Sequence, residues 1–460
     1  MSSANFTSLL QSMALLSVFL LLGVFLRAKV KLFQKTFLPA SVIGGFLLLI
    51  LGPRMLNVLP FPSEWMTSFA ALPGILIVPV VASVPLGSRI GGKKQAGKSS
   101  MGSVVFLVLM GMLMITSLQL MVGFGVNAFF QSTGYDLYDT FGWELNMGYS
   151  GGHGSAGTLG TMLNEAGLPY WETAQSVATT MATIGLIGGI LIGIILINWA
   201  IRKGYTKFVD KPGSIPRELQ VGYNPDVTKQ GSMGRETTLS ASIDPLAFHM
   251  ALILAVCGMA YIAMSAVQAA GIPGLNNVSI WVYAIIIMYI VWYIMVRLKL
   301  DFLVDTKVKS RISGGLTEFA VIAAIASMNL DAISSYLLPV VVTAVLGMLV
   351  TVLFTLFYYR KFVKNEWFEH AMAVLGMNTG VFLTGILLLR ICDPETKGET
   401  LGNYSAAFSF SAVFSFSLMP TYLLVVQNFG VIAMVGYAAL TFVVWLVPAL
   451  VVYRLSNKRQ

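Results

Sequence analysis

The residues of this chain that could bind a charged solute are concentrated in a glycine-rich polar tract, SGGHGSAGT, at residues 150–158. Long apolar runs lie on both sides of it. No water reaches the centre of a bilayer to satisfy exposed backbone, so non-helical chain at that depth must be buried in protein or line a cavity. The tract is therefore a candidate binding element inside a membrane.

A second interruption, GMNTGVFLTG, occupies residues 376–385, the corresponding place in the other half of the chain. Gly-interrupted hydrophobic segments at matching positions of two halves point to the binding site of a transporter. Small residues also pack membrane helices closely, but two matched tracts favour binding. The predicted binding residues in the tracts are Ser150, Gly151, Gly152, His153, Gly154, Ser155, Gly157, Thr158, Asn378, Thr379, Gly380 and Thr384.

The chemistry of these tracts suits a carboxylate and a hard cation. Half-helices in a broken segment present free N–H groups and a positive dipole end to a carboxylate. Their carbonyl ends, together with side-chain oxygens, suit Na⁺; the candidate Na⁺ ligands are Ser155, Thr158, Asn378, Thr379 and Thr384. His153 has three open roles: to bind a substrate carboxylate, to relay a proton, or to fix the local backbone.

One arginine, Arg390 in LLLRICDPE, follows the second tract. An arginine at membrane depth is costly and normally pairs with an anion. Arg390 either clamps a substrate carboxylate with its two-pronged guanidinium or pairs with Asp393 and anchors the tract at the cytoplasmic surface. Anchoring is the favoured interpretation, and both remain open.

Composition indicates a membrane protein with many spans. Of the 460 residues, 56% are hydrophobic and 11% are charged, against about 25% charged residues in a soluble domain. The net charge of +9 comes without a basic stripe or nucleic-acid motif, so no nucleic-acid partner is expected. No nucleophile, metal-ligand or ATP-binding signature is present. We expect neither an enzyme nor a cofactor, apart from Na⁺ as coupling ion.

The apolar runs define the elements that must position both tracts. Predicted spans lie near 6–26, 37–58, 66–86, 102–130 and 173–200 in the first half, near 247–270, 279–298, 314–333, 335–358 and 403–427 in the second, and near 429–453 at the end. The first run has no positive residues before it and no cleavage site after it, so it predicts a retained span. The polar stretch 201–246 is a predicted cytoplasmic connector.

Basic residues indicate the topology. With the N-terminus outside and the C-terminus in the cytoplasm, cytoplasmic segments contain 28 of the 29 Lys and Arg residues, and only Arg54 lies outside, as the positive-inside rule requires. This arrangement requires each tract to return to the face from which it entered. We therefore predict re-entrant hairpins near 142–166 and 367–390.

The predicted fold is an all-α polytopic membrane protein. Because each half has an odd number of spans, five, the second half is inverted relative to the first. Residues 1–200 form the first repeat with its hairpin, 201–246 the connector, and 247–427 the inverted repeat. Residues 428–460 add one transmembrane helix and a cytoplasmic tail.

The chain resembles the bacterial sodium/glutamate symporter family over about residues 6–427. The likeness rests on SGGHGSAG at 150–157 and LPASVIGG at 38–45, which are similar to motifs of that family. The resemblance implies an inner-membrane symporter that couples glutamate uptake to Na⁺. It also implies two inverted five-span repeats with opposed hairpins, a homodimer and an elevator-like motion.

Other kinds of membrane protein remain alternatives. A proton-coupled carboxylate or amino-acid carrier, or a Na⁺/H⁺ antiporter, usually keeps a carboxylate near mid-membrane, and no span has one clearly centred there. A channel is a weaker alternative. The sequence thus favours a sodium-coupled carrier of glutamate or a related carboxylate.

Overall fold

The chain is all-helical in the residues that the computed structural model describes, which are 3–36, 38–87, 99–209, 218, 221–270, 280–393 and 397–458. In chain order the α-helices are α1 (Ser3–Lys29), α2 (Lys31–Thr36), α3 (Ala40–Leu51), α4 (Ser63–Ala82), α5 (Ser99–Ser132), α6 (Trp143–Glu165), α7 (Trp171–Lys203), α8 (Pro245–Ala269), α9 (Ile280–Arg297), α10 (Thr306–Ala326), α11 (Leu330–Ser335), α12 (Leu337–Phe362), α13 (Trp367–Asn378), α14 (Phe382–Cys392) and α15 (Thr400–Lys458).

Seven helices of the described chain are long and apolar enough to cross a membrane: α1, α4, α5, α7, α8, α12 and α15. The last of them, α15, is divided at Gly430, where φ is +83° and ψ is 179°. Each part on its own is long enough to span about 30 Å of hydrocarbon. This division agrees with the two separate spans predicted for 403–427 and 429–453.

Helices α3, α10 and α11 differ from the predicted spans, and the span predicted at 314–333 is interrupted at residues 327–329, between α10 and α11. Helix α3 has 12 residues, or about 18 Å at 1.5 Å per residue, because Pro39 precedes it and Gly52 ends it. The span predicted at 37–58 is therefore only partly helical. Helix α10 begins before the predicted residue 314, because the Asp305 carboxylate caps it by accepting from the N–H groups of Lys307 and Val308.

Helix α5 lies at the centre of the bundle and positions the two tracts. It packs against α6, α12, α13 and α15, and 72% of its most apolar window is buried inside the protein. A second group of helices, α1, α3, α4 and α10, pack against one another, with α8 and α9 beside α4. Helix α6 lies between these groups, in contact with both α5 and α10, and α7 packs against α6, α10, α12 and α13.

Parts of the predicted cytoplasmic segments lie outside the described residues, namely most of 87–100 and residues 210–217, 219 and 220 of the connector. The described part of the connector docks on the start of α10. Arg235 Nε donates to Asp305 Oδ2 at 2.8 Å, and the N–H of Asp305 donates to His249 Nε2 at 2.8 Å. The connector is thereby attached to Asp305, the residue that also joins the start of α10 to α8.

Candidate binding site

The first glycine-rich tract breaks helix α6. At Gly152 φ is +65° and ψ is −161°, a backbone conformation that is essentially confined to glycine. The chain on either side of α6 comes together, since the rings of Tyr138 and Tyr170 stack with centroids 4.6 Å apart. Tyr138 also donates its hydroxyl to Glu144 Oε1 at 2.9 Å. The first part of α6 therefore begins close to the point where the second part ends.

The second tract separates α13 from α14, with the break at residues 379–381. The two helices approach closely, because an added Cβ at Gly376 would lie 2.7 Å from the carbonyl oxygen of Thr384. The chain before α13 is also joined to the chain after α14, because the N–H of Thr400 donates to Glu366 Oε2 at 3.0 Å. The chain that enters α13 and the chain that leaves α14 thus lie at the same end of the bundle.

The two breaks contact each other. A Cβ at Gly152 would lie 2.6 Å from Cγ1 of Val381 and 3.4 Å from the carbonyl oxygen of Gly380. The Ser150 hydroxyl lies 3.1 Å from Asn378 Oδ1, and Asn378 is fully buried. The structure therefore brings residues of the two predicted tracts, 150–152 and 378–381, into one junction.

Gln119, in the middle of α5, connects both sides of this junction. Its side-chain oxygen accepts hydrogen bonds from the Ser150 hydroxyl at 2.6 Å and from Asn146 Nδ2 at 3.1 Å. Its Nε2 donates to the carbonyl oxygen of Asn378 at 2.8 Å and to Thr351 Oγ1 of α12 at 3.0 Å. Sequence analysis missed Gln119, Asn146 and Thr351. A signal was available, because a polar side chain inside a membrane helix is a functional candidate by default.

The two breaks share a sequence register once they are superimposed. Gly148, Gly152 and Gly157 have the same spacing as Gly376, Gly380 and Gly385. In that register Ser150 corresponds to Asn378, and these two residues contact each other. A contact between equivalent positions is expected where a two-fold axis relates two segments.

The other predicted residues of the first tract lie in the second part of α6, after Gly152, except Gly151, which lies just before the break. His153 Nε2 lies 3.0 Å from Thr183 Oγ1 of α7, and the Thr158 hydroxyl donates to the carbonyl oxygen of Gly154 at 3.1 Å. Gly151 lies against Ser155, Gly154 against Ile77 and Gly157 against Pro73. This part of α6 therefore packs on α4 and α7.

In the second tract the two threonines hold the local backbone. The Thr379 hydroxyl donates to the carbonyl oxygen of Leu375 at 2.8 Å, while the N–H of Val381 donates to Thr384 Oγ1 at 3.3 Å. Both threonines are buried. Each hydroxyl oxygen keeps acceptor capacity for a cation.

Arg390 lies away from the junction. It is exposed in the last turn of α14, about 13 Å along the helix from the break at 1.5 Å per residue. The Asp393 carboxylate accepts from the N–H groups of Lys397 and Gly398 at 2.9 and 2.8 Å. The structure does not bring Arg390 together with the other predicted binding residues.

The junction offers neutral polar groups and two helix beginnings. The side chains that meet there, Ser150, Gln119, Asn378 and Thr351, carry no charge. The second part of α6 and helix α14 both begin at the breaks, and the first N–H groups of a helix have no partner within it. Together with the helix dipoles, these groups can bind an anion without a basic side chain.

Broken helices that meet inside an apolar bundle are the means by which secondary transporters build their sites, and this architecture defines the class of the protein. The sodium/glutamate symporter family model matches residues 6–383, which is more than half of the chain. The chain therefore belongs to the sodium/glutamate symporter family, and sodium-coupled transport is the activity of that family. The match ends inside α14, whereas similarity was expected as far as residue 427. No curated protein matches the chain.

Proposed function

We propose that this protein is a Na⁺-coupled symporter of glutamate or a similar small carboxylate, with the substrate bound between the two helix breaks. The observation that carries the proposal is the contact of Ser150 with Asn378 across those breaks. Family membership supports glutamate as substrate and Na⁺ as coupling ion. The substrate carboxylate would bind the N–H groups that begin α14 and the second part of α6.

In this proposal both breaks are tips of re-entrant hairpins in inverted five-span repeats. The stacking of Tyr138 on Tyr170 and the bond from Thr400 to Glu366 support the return of each broken segment to the face from which it entered. The distribution of Lys and Arg residues supports entry of the two segments from opposite faces. The shared glycine register supports the inversion. The N-terminus is then outside the inner membrane and the C-terminus cytoplasmic.

The junction must open for substrate to bind. Asn378 and Thr379 are both 0% exposed, and the Gly152 backbone lies against Val381. We therefore assign the packed junction to a closed state of the cycle. An elevator-like displacement of the hairpin-bearing helices in a homodimer follows from the family resemblance.

Coupling follows from electrostatics. Moving one elementary charge across 100 mV involves about 2.3 kcal/mol, so a negative interior opposes entry of a monoanion by that amount. One Na⁺ cancels the charge, and a second adds electrical drive. The proposal therefore includes at least two Na⁺ per monoanion.

The test is a thermal-shift screen of amino acids and dicarboxylates on the full chain, each with Na⁺ and with K⁺, followed by uptake into proteoliposomes. Stabilisation by glutamate only when Na⁺ is present, because ligand binds the folded state, supports the proposal. Uptake that follows a pH gradient without Na⁺ would replace it with a proton-coupled carrier. Uptake indifferent to an inside-negative potential would exclude the second Na⁺.

A further inference from the structure

An apolar groove lies between α7 and α12, near the middle of both helices. Its volume is about 370 Å³, within the range of about 300–1,000 Å³ that small-molecule sites have. Its lining contains no charged residue, and its one side-chain hydroxyl, that of Tyr149, donates to the carbonyl oxygen of Ala344 at 2.8 Å. The groove therefore suits a hydrocarbon occupant. We name it the α7–α12 groove.

The α7–α12 groove opens to the side of the bundle. Two residues of α12 that line it, Val345 and Leu349, are 61% and 51% exposed, and Ile184 of α7 is exposed as well. Both helices are long and apolar enough to cross a membrane, so their exposed sides face the hydrocarbon of the bilayer. A lipid chain therefore has direct access to the groove from the side.

The faces of α7 and α12 that line the groove lead to two larger side chains at the ends of these helices. On α7, Trp199 follows Ile192 by 7 residues and Gly188 by 11, and these spacings, about two and three turns, put all three on one face. On α12, Arg360 follows Leu349 by 11 residues and shares its face for the same reason. Leu349 and Arg360 are about 16 Å apart along the helix, close to half of the hydrocarbon thickness of about 30 Å. The path from groove to helix end thus has the length of one lipid leaflet.

The ring of Tyr205, just after α7, joins the two helix ends. Its centroid lies 5.3 Å from that of Trp199 and 5.5 Å from that of Trp367. The guanidinium carbon of Arg360 lies 5.3 Å from the Tyr205 centroid and 5.9 Å from the Trp367 centroid. Trp and Tyr side chains of membrane proteins lie at the level of the lipid headgroups. Arg360 is exposed and makes no ion pair with a carboxylate of the described chain, so its guanidinium can bind a phosphate with two hydrogen bonds.

The surroundings of this aromatic cluster are positively charged. Arg202 and Lys203 in the last turn of α7 and Lys361 in the last turn of α12 are exposed. The first carboxylate that follows α12 in the chain, that of Glu366, is buried and lies 3.5 Å from Lys207 Nζ. Basic residues at the membrane surface attract anionic lipids. The cluster therefore favours an anionic headgroup over a zwitterionic one.

We propose that the α7–α12 groove and the cluster around Arg360 form one binding site for an anionic phospholipid. Arg360 binds the phosphate, and the groove holds one acyl chain. The end of that chain packs on Tyr149, the residue before Ser150. The Tyr149 ring also supports α7, since a Cβ added at Gly185 would lie 2.7 Å from Tyr149 Cδ1. The bound lipid thus stabilises the first tract where it contacts α7 and α12.

The test is the rise in unfolding temperature of the full chain in detergent as dioleoyl phosphatidylglycerol is added, because a ligand of the folded state stabilises it. Dioleoyl phosphatidylcholine has the same acyl chains but no net charge, and its half-saturating mole fraction should be at least five-fold higher. Arg360→Gln should raise the half-saturating fraction of phosphatidylglycerol at least five-fold. Val345→Trp, which fills the groove from its exposed side, should do the same. Inorganic phosphate alone should leave the unfolding temperature unchanged, because it has no acyl chain.

Each variant has a matched control. Arg297 is also an exposed arginine in the last turn of its helix, α9, and its guanidinium carbon lies 5.1 Å from the centroid of the Tyr293 ring. Leu346 is exposed on α12 beside Val345 but does not line the groove. Arg297→Gln and Leu346→Trp should both keep the half-saturating fraction of phosphatidylglycerol of the unaltered protein.

Three results would overturn this inference. They are equal half-saturation by the two phospholipids, an equal rise in unfolding temperature with inorganic phosphate, and unaltered phosphatidylglycerol binding in either Arg360→Gln or Val345→Trp. The unfolding temperature without lipid shows whether each variant is correctly folded. If Val345→Trp is not, Leu349→Trp fills the same groove from its exposed side and takes its place. The measurement needs neither Na⁺ nor glutamate, so its outcome is independent of the proposed function.

Discussion

The hydroxyl of Ser150 lies 3.1 Å from the side-chain oxygen of Asn378, although 228 residues separate them in the chain. The single hydroxyl proton also has the Gln119 side-chain oxygen at 2.6 Å. It can move between these acceptors as the tips separate. One serine thus links two helix breaks to each other and to the central helix α5.

Replacing Gly152 should abolish glutamate binding without preventing insertion of the protein into the membrane. In Gly152→Ala the positive φ costs about 1–3 kcal/mol, and the new Cβ would lie 2.6 Å from Val381. We expect at least a ten-fold loss of Na⁺-dependent glutamate uptake in proteoliposomes. Gly125→Ala in α5 is the control, because a Cβ there meets no atom within 4 Å among the described residues. Equal uptake by both variants would show that the break at Gly152 is not part of the binding site.

Removing the amide of Gln119 should affect stability and binding together. Gln119→Leu removes the hydrogen bonds that Gln119 makes with Asn146, Ser150 and the Asn378 carbonyl, and Ser150 keeps only Asn378 Oδ1 as an acceptor. Each buried group that is left unsatisfied costs about 1–3 kcal/mol. We expect a lower unfolding temperature and loss of the glutamate-dependent thermal shift. Ser117→Ala on the same helix should keep that shift, because the Ser117 hydroxyl contacts Leu113 and Thr441 instead. Unchanged glutamate affinity in Gln119→Leu would contradict this assignment.

Arg390 should matter little for substrate affinity. Arg390 is exposed and lies about 13 Å from the break along α14. Its guanidinium therefore cannot reach a carboxylate bound at the junction. Arg390→Gln should therefore keep the glutamate concentration for half-maximal uptake within two-fold. A ten-fold increase in that concentration would restore the role of Arg390 as a carboxylate clamp.

The connector should detach when Asp305 loses its charge. The hydrogen bond from Arg235 holds the pKa of Asp305 below its ordinary value of 3.8. A lowered pKa means that the carboxylate contributes full stability above pH 3.8, which is lost as the pH falls through the folded-state value. Asp305→Asn should imitate that loss at neutral pH, measured as faster tryptic cleavage after Arg235. Asp301→Asn, with the change at the short 3₁₀ helix before Asp305, should be cleaved at the original rate.

The location of both helix breaks was predictable from sequence, for a physical reason. Glycine is the residue that tolerates the conformation at Gly152, so its clustering in an otherwise apolar run marks where a helix can be interrupted. The same reasoning predicted a second interruption within residues 376–385, and the structure has it at residues 379–381, between α13 and α14. Apolar runs likewise predicted α5, α7, α8 and α12 closely.

The partners of the breaks were not predictable in this way. Gln119 reaches Ser150 and Asn378 only because α5 packs against both α6 and α13, and that arrangement depends on contacts distant in sequence. Arg390 was a candidate because an arginine at membrane depth normally pairs with an anion, yet it lies in the last turn of the 11-residue helix α14, away from the break. The early start of α10 required knowing that the Asp305 side chain caps it.

The ring stack between Tyr138 and Tyr170 restricts where residues can be inserted into or deleted from this chain. The two parts of α6 are held together at one end by that stack, and at the other end Gly152 packs against Val381. One residue inserted in either part of α6 would rotate the helix that follows by about 100°. Gly152 would then lose its contact with Val381. We therefore expect insertions and deletions to be tolerated in the exposed turn at 133–136 rather than in either part of α6.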